Sequence, residues 1–522
     1  MRLELESFRY PEAARPVLGK VVLDVRPGEC LLVAGGSGSG KSTLGLILAG
    51  VLPGQHRGTM TGSLELGGQV VAYAGIQPER INHQYWSSLV GYAGQDAAAQ
   101  LSTVAPTVAE EIAFPLENAG MPRAQMQDTV RQMAQTLGIP ALLEQDPALL
   151  SGGQQRLVVM AASMASRPAL LVLDEPLAGL DFGARKTVTA AISALLASGA
   201  GILILSQELG GAGQLAERVL LLNRGQTVFL GTPDDAARAV KEQDLPVVTG
   251  HVAGSLSPRP APASPSEAGL ALSVRAASFS YGWRKPRPWR PSPALVPAVK
   301  EISFSVEPGE RIAIAGANGS GKSTLLRLLT GLSYPQAGTV RLCGAEPGAA
   351  AGSAARIGTL LQQPREQLFE RTVLREVAAG LLESVLEPEA RQQRADSALR
   401  RTGLVDDAAV HPYELSAAGQ RLTALAAVLA QRPRVLALDE PTVSLDRDGR
   451  DVLAAAIETE TERGAAVLLV THDLDFAYRT CARLLVLSEG RLVADGPFDD
   501  VLAAHFTGGE GYGVQAPAGW TV

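Results

Sequence analysis

Hydrophobic and polar residues repeat the same order of patterns in the two halves of the chain. Each half opens with an alternation of apolar and polar residues, over 3–10 and over 271–281, and this period of two is typical of a half-buried strand. An apolar strand then leads into a glycine-rich loop and a helix, as in residues 30–50. Each half later contains a continuous apolar run that ends in Asp-Glu-Pro, at 169–176 and 434–441, as buried parallel strands do. The pattern predicts two α/β domains of one design.

The distances between matched landmarks indicate that the repeat consists of two whole domains. Ser151 and Glu175 lie 24 residues apart, as do Ser416 and Glu440. Upstream of these landmarks the first copy carries about 14 extra residues, which we place within 58–88. A repeat of this length is typical of paired domains and not of a solenoid of short units.

The two copies are joined by a segment rich in Pro, Ser and Ala, which predicts an extended, solvated linker. A second irregular segment, 282–297, contains basic residues and two tryptophans. It is either a docking surface or a variable loop that lengthens a turn between two strands. The predicted boundaries are a first domain at 1–245, a linker at 246–270, a second domain at 271–505 and a C-terminal tail at 506–522.

Composition and charge argue against several classes of protein. The net charge of -7 argues against a protein that coats nucleic acid by bulk electrostatics, so we expect no nucleic-acid partner. Cys30, Cys343 and Cys481 show no C-x-x-C spacing and are expected to be buried thiols in a reducing compartment. The first residues do not read as a signal peptide, and no stretch approaches the roughly 18 apolar residues of a membrane span. We therefore expect any membrane role to come through a partner.

Two glycine-rich loops fit the pattern G-x-x-x-x-G-K-[ST], one at 35–42 and one at 316–323. Such a loop lets successive backbone N–H groups surround phosphates at the start of a helix. The lysine of each loop is expected to reach the β- and γ-phosphates of ATP, and the serine after it to bind Mg²⁺. The candidate ATP-binding residues of the two loops are Gly35, Gly38, Gly40, Lys41, Ser42 and Thr43, and Gly316, Gly319, Gly321, Lys322, Ser323 and Thr324.

Each loop is followed, further along the chain, by an apolar strand that ends in two carboxylates. Asp174 and Asp439 end these strands and are expected to hold the Mg²⁺ shell. Glu175 and Glu440 follow directly and are expected to polarise the attacking water. An ordinary solvated strand end is the alternative, and the two phosphate loops make it the weaker one.

A family resemblance follows from residues 150–154, which read Leu-Ser-Gly-Gly-Gln. This segment has the form of the signature of ATP-binding cassette proteins, and both copies resemble that family over nearly their whole length. The resemblance implies two cassette domains, each with a RecA-like α/β core, an antiparallel β subdomain and a helical signature subdomain. It also implies that the domains pair head to tail within the chain, with each ATP between one phosphate loop and the other domain's signature. The signature residues that it assigns to ATP are Ser151, Gly152, Gly153, Gln154 and Ser416.

The resemblance assigns further residues to the nucleotide. Gln95 and Gln362 match the glutamine loops of the family, which contact both Mg²⁺ and ATP. Tyr10 and Tyr281 match the aromatic residue that stacks on adenine. A tyrosine on an early strand is as easily a packed edge residue, so both interpretations of these tyrosines stay open.

Two positions depart from the family pattern. The second signature, 415–419, reads Leu-Ser-Ala-Ala-Gly, so both central glycines are replaced by alanine. Added Cβ atoms restrict the close approach of backbone N–H groups to a phosphate. The switch histidine is present as His472, 32 residues after Glu440, but Gln207 stands at the same spacing in the first copy. A glutamine can donate a hydrogen bond to the γ-phosphate but cannot carry a positive charge.

In the implied head-to-tail pairing, both losses fall on the same composite site. The first phosphate loop and Gln207 would face the altered signature, whereas the second loop and His472 would face the intact one. We therefore expect one complete and one degenerate site. The expected catalytic pair is Glu440 with His472, and Glu175 with Gln207 forms the weaker counterpart.

The segments around the glutamine loops, 91–118 and 357–383, resemble those of energy-coupling-factor ATPases. Those ATPases drive the uptake of vitamins or metal ions. The resemblance implies two partners, an integral membrane transport component and a substrate-binding membrane subunit, and a location on the cytoplasmic face of the cell membrane. It also implies that Phe114 and Leu368 contact the transport component, although both segments could simply cap the helical subdomain.

Three other functions remain open for tandem cassettes. Ribosome-associated translation factors usually have a charged helical linker, unlike the one here. Tandem sugar importers tend to lose function in the second phosphate loop, which is intact at 316–323. A protein that binds ATP without hydrolysis is disfavoured by the presence of Glu175, Glu440 and His472.

Overall fold

The chain forms two compact units that meet, along the sequence, between residues 250 and 251. The computed structural model describes residues 1–11, 13–54, 58–75, 81–249, 269–282, 296–346, 357–382, 386–506 and 510–517. Most of the predicted linker and most of the segment 282–297 lie outside these residues. The domain boundaries inferred from the sequence remain predictions.

The described residues of the first unit contain ten strands and seven α-helices. In chain order these are β1 (Arg2–Arg9), β2 (Val21–Asp24), β3 (Cys30–Ala34), α1 (Lys41–Leu48), β4 (Thr59–Leu66), β5 (Gln69–Gly75), α2 (His83–Leu89), β6 (Val90–Ala93), α3 (Val108–Asn118), α4 (Arg123–Thr136), α5 (Gly152–Ala165), β7 (Leu170–Asp174), α6 (Phe182–Ala197), β8 (Gly201–Ser206), β9 (Arg218–Asn223), β10 (Gln226–Gly231) and α7 (Pro233–Glu242).

The strands of this unit form two sheets whose burial follows the sequence pattern. In β1, Leu3, Leu5 and Phe8 are buried while the intervening Glu4 is exposed, and this strand lies in an antiparallel sheet of order β2-β1-β4-β5. All five residues of β3 and of β7 are buried, and both lie in a sheet of order β10-β9-β3-β8-β7-β6. The strands β9, β3, β8, β7 and β6 of this second sheet are parallel. Their carboxyl ends therefore share one edge, where the phosphate loop and the Asp-Glu pair emerge.

Helices α3, α4 and α5 form the helical subdomain of the first unit. Its core contains Val108, Ile112 and Leu116 of α3 and Val158 of α5, all fully buried. Helix α3 begins at the cap Thr107, and α5 begins at the cap Ser151. This packing fixes the start of the signature helix relative to the glutamine-loop region of the same unit.

The described residues of the second unit repeat this plan. Its elements are β11 (Leu272–Tyr281), β12 (Val296–Val306), β13 (Arg311–Ala315), α8 (Lys322–Leu329), β14 (Ala337–Leu342), β15 (Ile357–Leu360), α9 (Val373–Ala379), α10 (Pro388–Thr402), α11 (Ala417–Ala430), β16 (Val435–Asp439), α12 (Arg447–Glu462), β17 (Ala466–Val470), α13 (Leu474–Thr480), β18 (Arg483–Ser488), β19 (Arg491–Pro497), α14 (Phe498–His505), β20 (Glu510–Gly511) and β21 (Val514–Gln515).

The second unit also combines an antiparallel sheet, β12-β11-β14, with a mainly parallel one, β15-β16-β17-β13-β18-β19. The fold class expected from the sequence is therefore confirmed for both units. The first unit has an additional strand and helix, β5 and α2, in the region where we expected extra residues. The described residues of the second unit contain no counterpart of these between β14 and β15. No helix in the described ranges has the length and apolar composition of a membrane span.

Candidate ATP-binding and hydrolysis sites

Both phosphate loops connect the central strand of a parallel sheet to a helix, β3 to α1 and β13 to α8. The residue before each helix, Gly40 or Gly321, has φ of 99° or 102°, in the left-handed region. A Cβ at Gly40 would lie 2.6 Å from Leu18 Cδ2, and one at Gly321 would lie 2.3 Å from the carbonyl oxygen of Ala298. Both constraints require glycine at this position.

The lysine of each loop is buried and turns back over its own loop. Lys41 Nζ donates to the carbonyl oxygens of Gly35 at 2.6 Å and Gly36 at 2.9 Å. Lys322 makes the matching bonds in the second unit, at the same two distances. A helix start and a buried ammonium group together create a positive potential, and this suits a polyphosphate.

The carboxylate proposed for Mg²⁺ is buried in both units. Asp174 is 2% exposed, and neither of its carboxyl oxygens has a hydrogen-bond partner among the described residues. Burial raises the pKa of Asp174, and it raises the pKa of Asp439 to about 6. Ser323 Oγ lies 3.3 Å from Asp439 Oδ2. A buried carboxylate beside the serine hydroxyl of the phosphate loop fits a hard cation with oxygen ligands.

The next residue in each unit has an unusual backbone. Glu175 has φ of 51° and Glu440 has φ of 46°, and left-handed conformations of non-glycine residues cost about 1–3 kcal/mol. The N–H of Glu175 donates to Leu205 O at 2.9 Å, and that of Glu440 donates to Val470 O at 2.8 Å. Each glutamate is thereby fixed to the neighbouring parallel strand, which leads directly to the switch residue.

In the first unit the glutamate contacts neutral groups. Glu175 Oε1 accepts a hydrogen bond from the backbone N–H of Gln207 at 2.8 Å, and Oε2 accepts one from Ser206 Oγ at 3.3 Å. Burial raises the pKa of Glu175 to about 7. At neutral pH this carboxyl group is therefore only partly ionised, and a protonated carboxyl cannot act as a general base.

In the second unit the glutamate contacts a histidine. Glu440 Oε1 lies 2.8 Å from His472 Nδ1, and Oε2 accepts hydrogen bonds from Thr471 Oγ1 at 3.1 Å and from the backbone N–H of His472 at 3.4 Å. Burial alone would raise the pKa of Glu440. The charge and the hydrogen bond of His472, together with the charge of Lys322, outweigh this effect and lower that pKa. The two glutamates thus differ in ionisation although they occupy equivalent positions.

The main chain of the switch region also differs between the units. In the first unit Gln207 O accepts from the N–H of Val248 at 2.9 Å, and Leu209 N–H donates to Val248 O at 2.9 Å. Val248, which lies at the start of the predicted linker, is thereby paired with the switch loop. In the second unit the chain after His472 continues directly into α13, which is capped by Asp473. Sequence reasoning missed this pairing, because no motif marks Val248.

The two signature helices begin with different caps. In α5, Ser151 Oγ accepts from the N–H of Gln154, and Gln154 Oε1 accepts from the N–H of Ser151 at 3.0 Å, which forms a reciprocal capping box. In α11, Ser416 Oγ accepts from the N–H of Gly419 at 3.2 Å, but a glycine has no side chain to complete the box. Gly152 and Gly153 lie in the first turn of α5, partly exposed.

The two candidate adenine-stacking tyrosines lie next to the helices that follow the phosphate loops. Tyr10 OH is 3.2 Å from Thr43 Oγ1, and Tyr281 OH is 3.1 Å from Thr324 Oγ1. The side chain of Tyr281 is nevertheless 44% exposed. Each hydroxyl thus packs against a threonine, as expected if these tyrosines are packed edge residues. The exposed part of the Tyr281 ring is still available to stack on a base.

In each unit, one arginine joins the glutamine loop to the glutamate of the same unit. This arginine was not assigned from the sequence. Arg156 donates to the carbonyl oxygens of both Glu175 and Gln95. Arg421 does the same for Glu440 and Gln362 in the second unit. The signal in the sequence was available: each arginine follows its signature serine by five residues.

Leu368, one of the two residues expected to contact the transport component, is buried. Leu368 is 3% exposed and packs in the core of the second unit, so its side chain cannot contact a partner. The adjacent Phe369 is 77% exposed instead, and Leu382 is 65% exposed. Phe114, the expected docking residue of the first unit, is 40% exposed. The sequence did not show which of these two adjacent apolar residues is exposed, because the local chain direction was not known.

Two phosphate loops, two strand-end Asp-Glu pairs and two switch loops define a tandem phosphate-loop ATPase. Residues 18–178 and 299–443 match the family model described as ABC transporter. The chain belongs to this family: it is an ABC transporter ATP-binding protein with two fused cassettes, and it hydrolyses ATP. Cassettes of this family bind ATP and typically Mg²⁺, and their ATP-binding proteins generally pair with membrane components.

Relatives of the whole chain support this assignment. A protein of Streptomyces coelicolor, provisionally named an ABC transporter ATP-binding protein, is 33% identical over 97% of this chain and 95% of its own length. A relative of the same provisional name from Methanosarcina acetivorans is 31% identical over 94% of this chain and 89% of its own.

Among solved structures, one chain from a model of ribosome-bound archaeal Pelota and ABCE1 is similar to this protein. The match covers 96% of this chain and 80% of that chain. Its TM-score is 0.67 at 18% identity, a likeness that extends to the tandem fold alone. The cbiO1 structure of Clostridium perfringens, part of the complex cbiONQ, has a TM-score of 0.40 and 29% identity. It covers 45% of this chain and 91% of its own.

Proposed function

We propose that this protein is the ATP-hydrolysing subunit of an energy-coupling-factor-type importer that takes up a vitamin or a metal ion. Its membrane partners are a transport component and a substrate-binding subunit, and it works on the cytoplasmic face of the cell membrane. The observation that supports this best is the exposed apolar side chains beside the glutamine loops, since Phe369 and Leu382 are more than half exposed and Phe114 is 40% exposed. Apolar side chains mark an interaction surface where they form a contiguous exposed patch, and a charge placed at one of them tests for such a surface.

The proposal also assigns the sites. Lys41 and Lys322 bind the β- and γ-phosphates of ATP, and the loop serines, the strand-end aspartates and the glutamine loops hold Mg²⁺. The cation neutralises the phosphate charge when it is bound. The remaining assigned residues are Ser42, Ser323, Asp174, Asp439, Gln95 and Gln362 for Mg²⁺, and Ser151, Gly152, Gly153, Gln154 and Ser416 for the ATP of the paired cassette.

The two sites are proposed to work unequally. Glu440 carries a lowered pKa and a histidine partner, so it is the ionised base that orients the attacking water at one site. Glu175, with a pKa of about 7 and the neutral Gln207, serves a site that holds ATP longer. ATP binding then closes the paired cassettes, hydrolysis at the stronger site reopens them, and the membrane partner follows this motion.

The membrane assignment is tested by co-purification from detergent-solubilised membranes. We expect an integral membrane transport component and a small substrate-binding membrane protein to be recovered with the chain, together with a bound vitamin or metal ion. Phe369→Glu should reduce this recovery at least about tenfold, since a charge in an apolar interface costs more than about 1.4 kcal/mol. ATPase without partners should change less than about twofold.

A matched control is Val70→Glu, at a position of β5 that is 63% exposed and lies on the antiparallel sheet. It should leave recovery unchanged. Recovery of ribosomes without a membrane protein would instead support a translation factor, and a bound sugar would support a sugar importer. Loss of ATPase in step with loss of recovery would reject the assigned role of Phe369.

A further inference from the structure

A buried arginine occupies the same place in the signature helix of each unit. Arg421 lies in α11, five residues after the cap Ser416, and is 4% exposed. Burial lowers the pKa of its guanidinium to about 10, so the group is charged at neutral pH. Its Nε has no hydrogen-bond partner among the described residues. A charged group buried at this cost indicates that its remaining contacts matter.

The remaining contacts of Arg421 reach two segments that are far apart in sequence. Nη1 donates to the carbonyl oxygen of Glu440 at 3.0 Å, and Nη2 donates to that of Gln362 at 2.9 Å. One guanidinium thus joins the residue after the Mg²⁺-binding aspartate to the glutamine loop. It does so from a third element, the signature helix.

The first unit repeats this arrangement with different neighbours along the chain. Arg156 of α5 donates from Nη1 to the carbonyl oxygen of Glu175 and from Nη2 to that of Gln95, the latter at 2.9 Å. Two independent copies with the same donors and the same acceptors argue against an accident of packing.

The acceptor on the glutamate side is the carbonyl of a residue in the left-handed region. A non-glycine residue keeps such a conformation only where its surroundings determine it. The N–H of Glu440 is fixed by Val470 O, and its carbonyl is fixed by Arg421. The N–H of Val443 also donates to this carbonyl, at the longer distance of 3.3 Å. Without the guanidinium, this longer hydrogen bond alone would hold the carbonyl side of the peptide among the described residues.

We propose that Arg421 and Arg156 are positioning residues that tie the signature helix to the glutamine loop and to the water-activating glutamate of the same cassette. A shift of the signature helix would then move the glutamine loop and the glutamate carbonyl together. The planar fork of arginine is needed because two nitrogens must donate to two separate oxygens, and a lysine ammonium on a flexible stem does not hold that geometry.

The test isolates the second site in a Glu175→Gln background and compares Arg421→Lys with Arg421→Met in the full chain. We expect Arg421→Met to lower kcat at least about tenfold while KM for ATP changes less than about threefold, because no loop contact to phosphate is removed. Arg421→Lys keeps the charge and should recover part of kcat. An exposed arginine of α10 serves as control, and Arg400→Met should leave both constants unchanged.

The reciprocal experiment places Arg156→Lys and Arg156→Met in a Glu440→Gln background. The same order of kcat values is expected, with Arg156→Met the slower variant, although every kcat is lower in this background. A cooperative urea transition shows that each variant is folded. The proposal is overturned if folded Arg421→Met keeps kcat within about twofold, or if only KM changes. If Arg421→Met does not fold, Arg421→Lys decides: a kcat equal to that of the background overturns the proposal. Each background reports its own site, so the result does not depend on the two sites being unequal.

Discussion

At the scale of single residues, the two cassettes differ most in the ionisation of one carboxyl group. Glu440 has an imidazole at 2.8 Å and a lowered pKa, whereas Glu175 has only neutral donors and a pKa of about 7. Desolvation is the largest influence on both pKa values, and the charge and hydrogen bond of His472 together with the charge of Lys322 outweigh it in Glu440. The replacement of histidine by glutamine thus accompanies the difference in pKa between the two glutamates.

This difference predicts unequal effects of removing each carboxylate. Glu440→Gln should lower steady-state ATPase at least about a hundredfold, which corresponds to roughly 3 kcal/mol of barrier. Glu175→Gln should lower it less than about threefold, because this site contributes little turnover. The measurement is kcat of both single variants under saturating ATP, and equal losses would contradict the asymmetry.

The raised pKa predicts a pH dependence at the weaker site. In Glu440→Gln, the residual turnover should rise about tenfold from pH 6 to pH 8. A group with a pKa of about 7 is about one-tenth ionised at the lower pH and about nine-tenths ionised at the higher one. The double variant Glu440→Gln with Glu175→Gln gives the background rate to subtract. A flat profile after subtraction would mean that Glu175 is not the base.

At the scale of elements, the signature helices differ in how they begin. The capping box of α5 is absent in α11, and a Cβ at Gly419 would lie 2.9 Å from Leu415 Cβ. Substituting Gly419 by glutamine would therefore require Leu415 to move before the box could form. The alanines before it are a different case, because glycine at either position removes atoms and creates no clash.

This contrast predicts which changes repair the weaker site. Gln207→His, Ala417→Gly and Ala418→Gly, combined in a Glu440→Gln background, should raise single-turnover hydrolysis at least about tenfold. The histidine places an imidazole beside Glu175, as His472 lies beside Glu440. In the proposed head-to-tail pairing, the glycines let the backbone approach the phosphate of this site. Each Ala→Gly change also costs up to about 1 kcal/mol of stability, so the folded fraction must be measured too.

The same variant offers a second observable. The rise of turnover with pH should shift to lower pH, because a protonated imidazole introduced by Gln207→His lowers the pKa of Glu175. If the variant is folded but its single-turnover hydrolysis is no faster, other contacts limit hydrolysis at this site. The pairing of Val248 with the switch loop is the first candidate, since it fixes the main chain of Gln207.

At the scale of the whole molecule, the presence of two cassettes in one chain would make the proposed head-to-tail pairing intramolecular. Covalent linkage raises the effective concentration of one domain near the other, to roughly the millimolar range for a short linker. The pairing implied by the family resemblance would then need no second chain. One chain can also keep unequal sites in a fixed ratio, which two interchangeable subunits cannot do. The co-purification experiment with Phe369→Glu belongs to this scale, because it asks what the assembled protein contacts.

The sequence by itself determined the repeat, both fold units, the phosphate loops and the strand-end carboxylates. These features are local: a glycine with φ near 100° or an apolar run of five residues is encoded in adjacent positions. The shared edge of parallel strands then brings the loop and the carboxylates together.

Only the tertiary structure decided the features that join distant residues. The bridge from Arg156 to Gln95 spans 61 residues, and the pairing of Val248 with Gln207 spans 41. Burial on folding raised the pKa of Glu175, whereas His472 and Lys322, brought beside Glu440 by the fold, lowered the pKa of that group. The local chain direction exposed Phe369 and buried Leu368. No local pattern encodes such contacts, because desolvation and hydrogen bonding there depend on which segments the fold brings together.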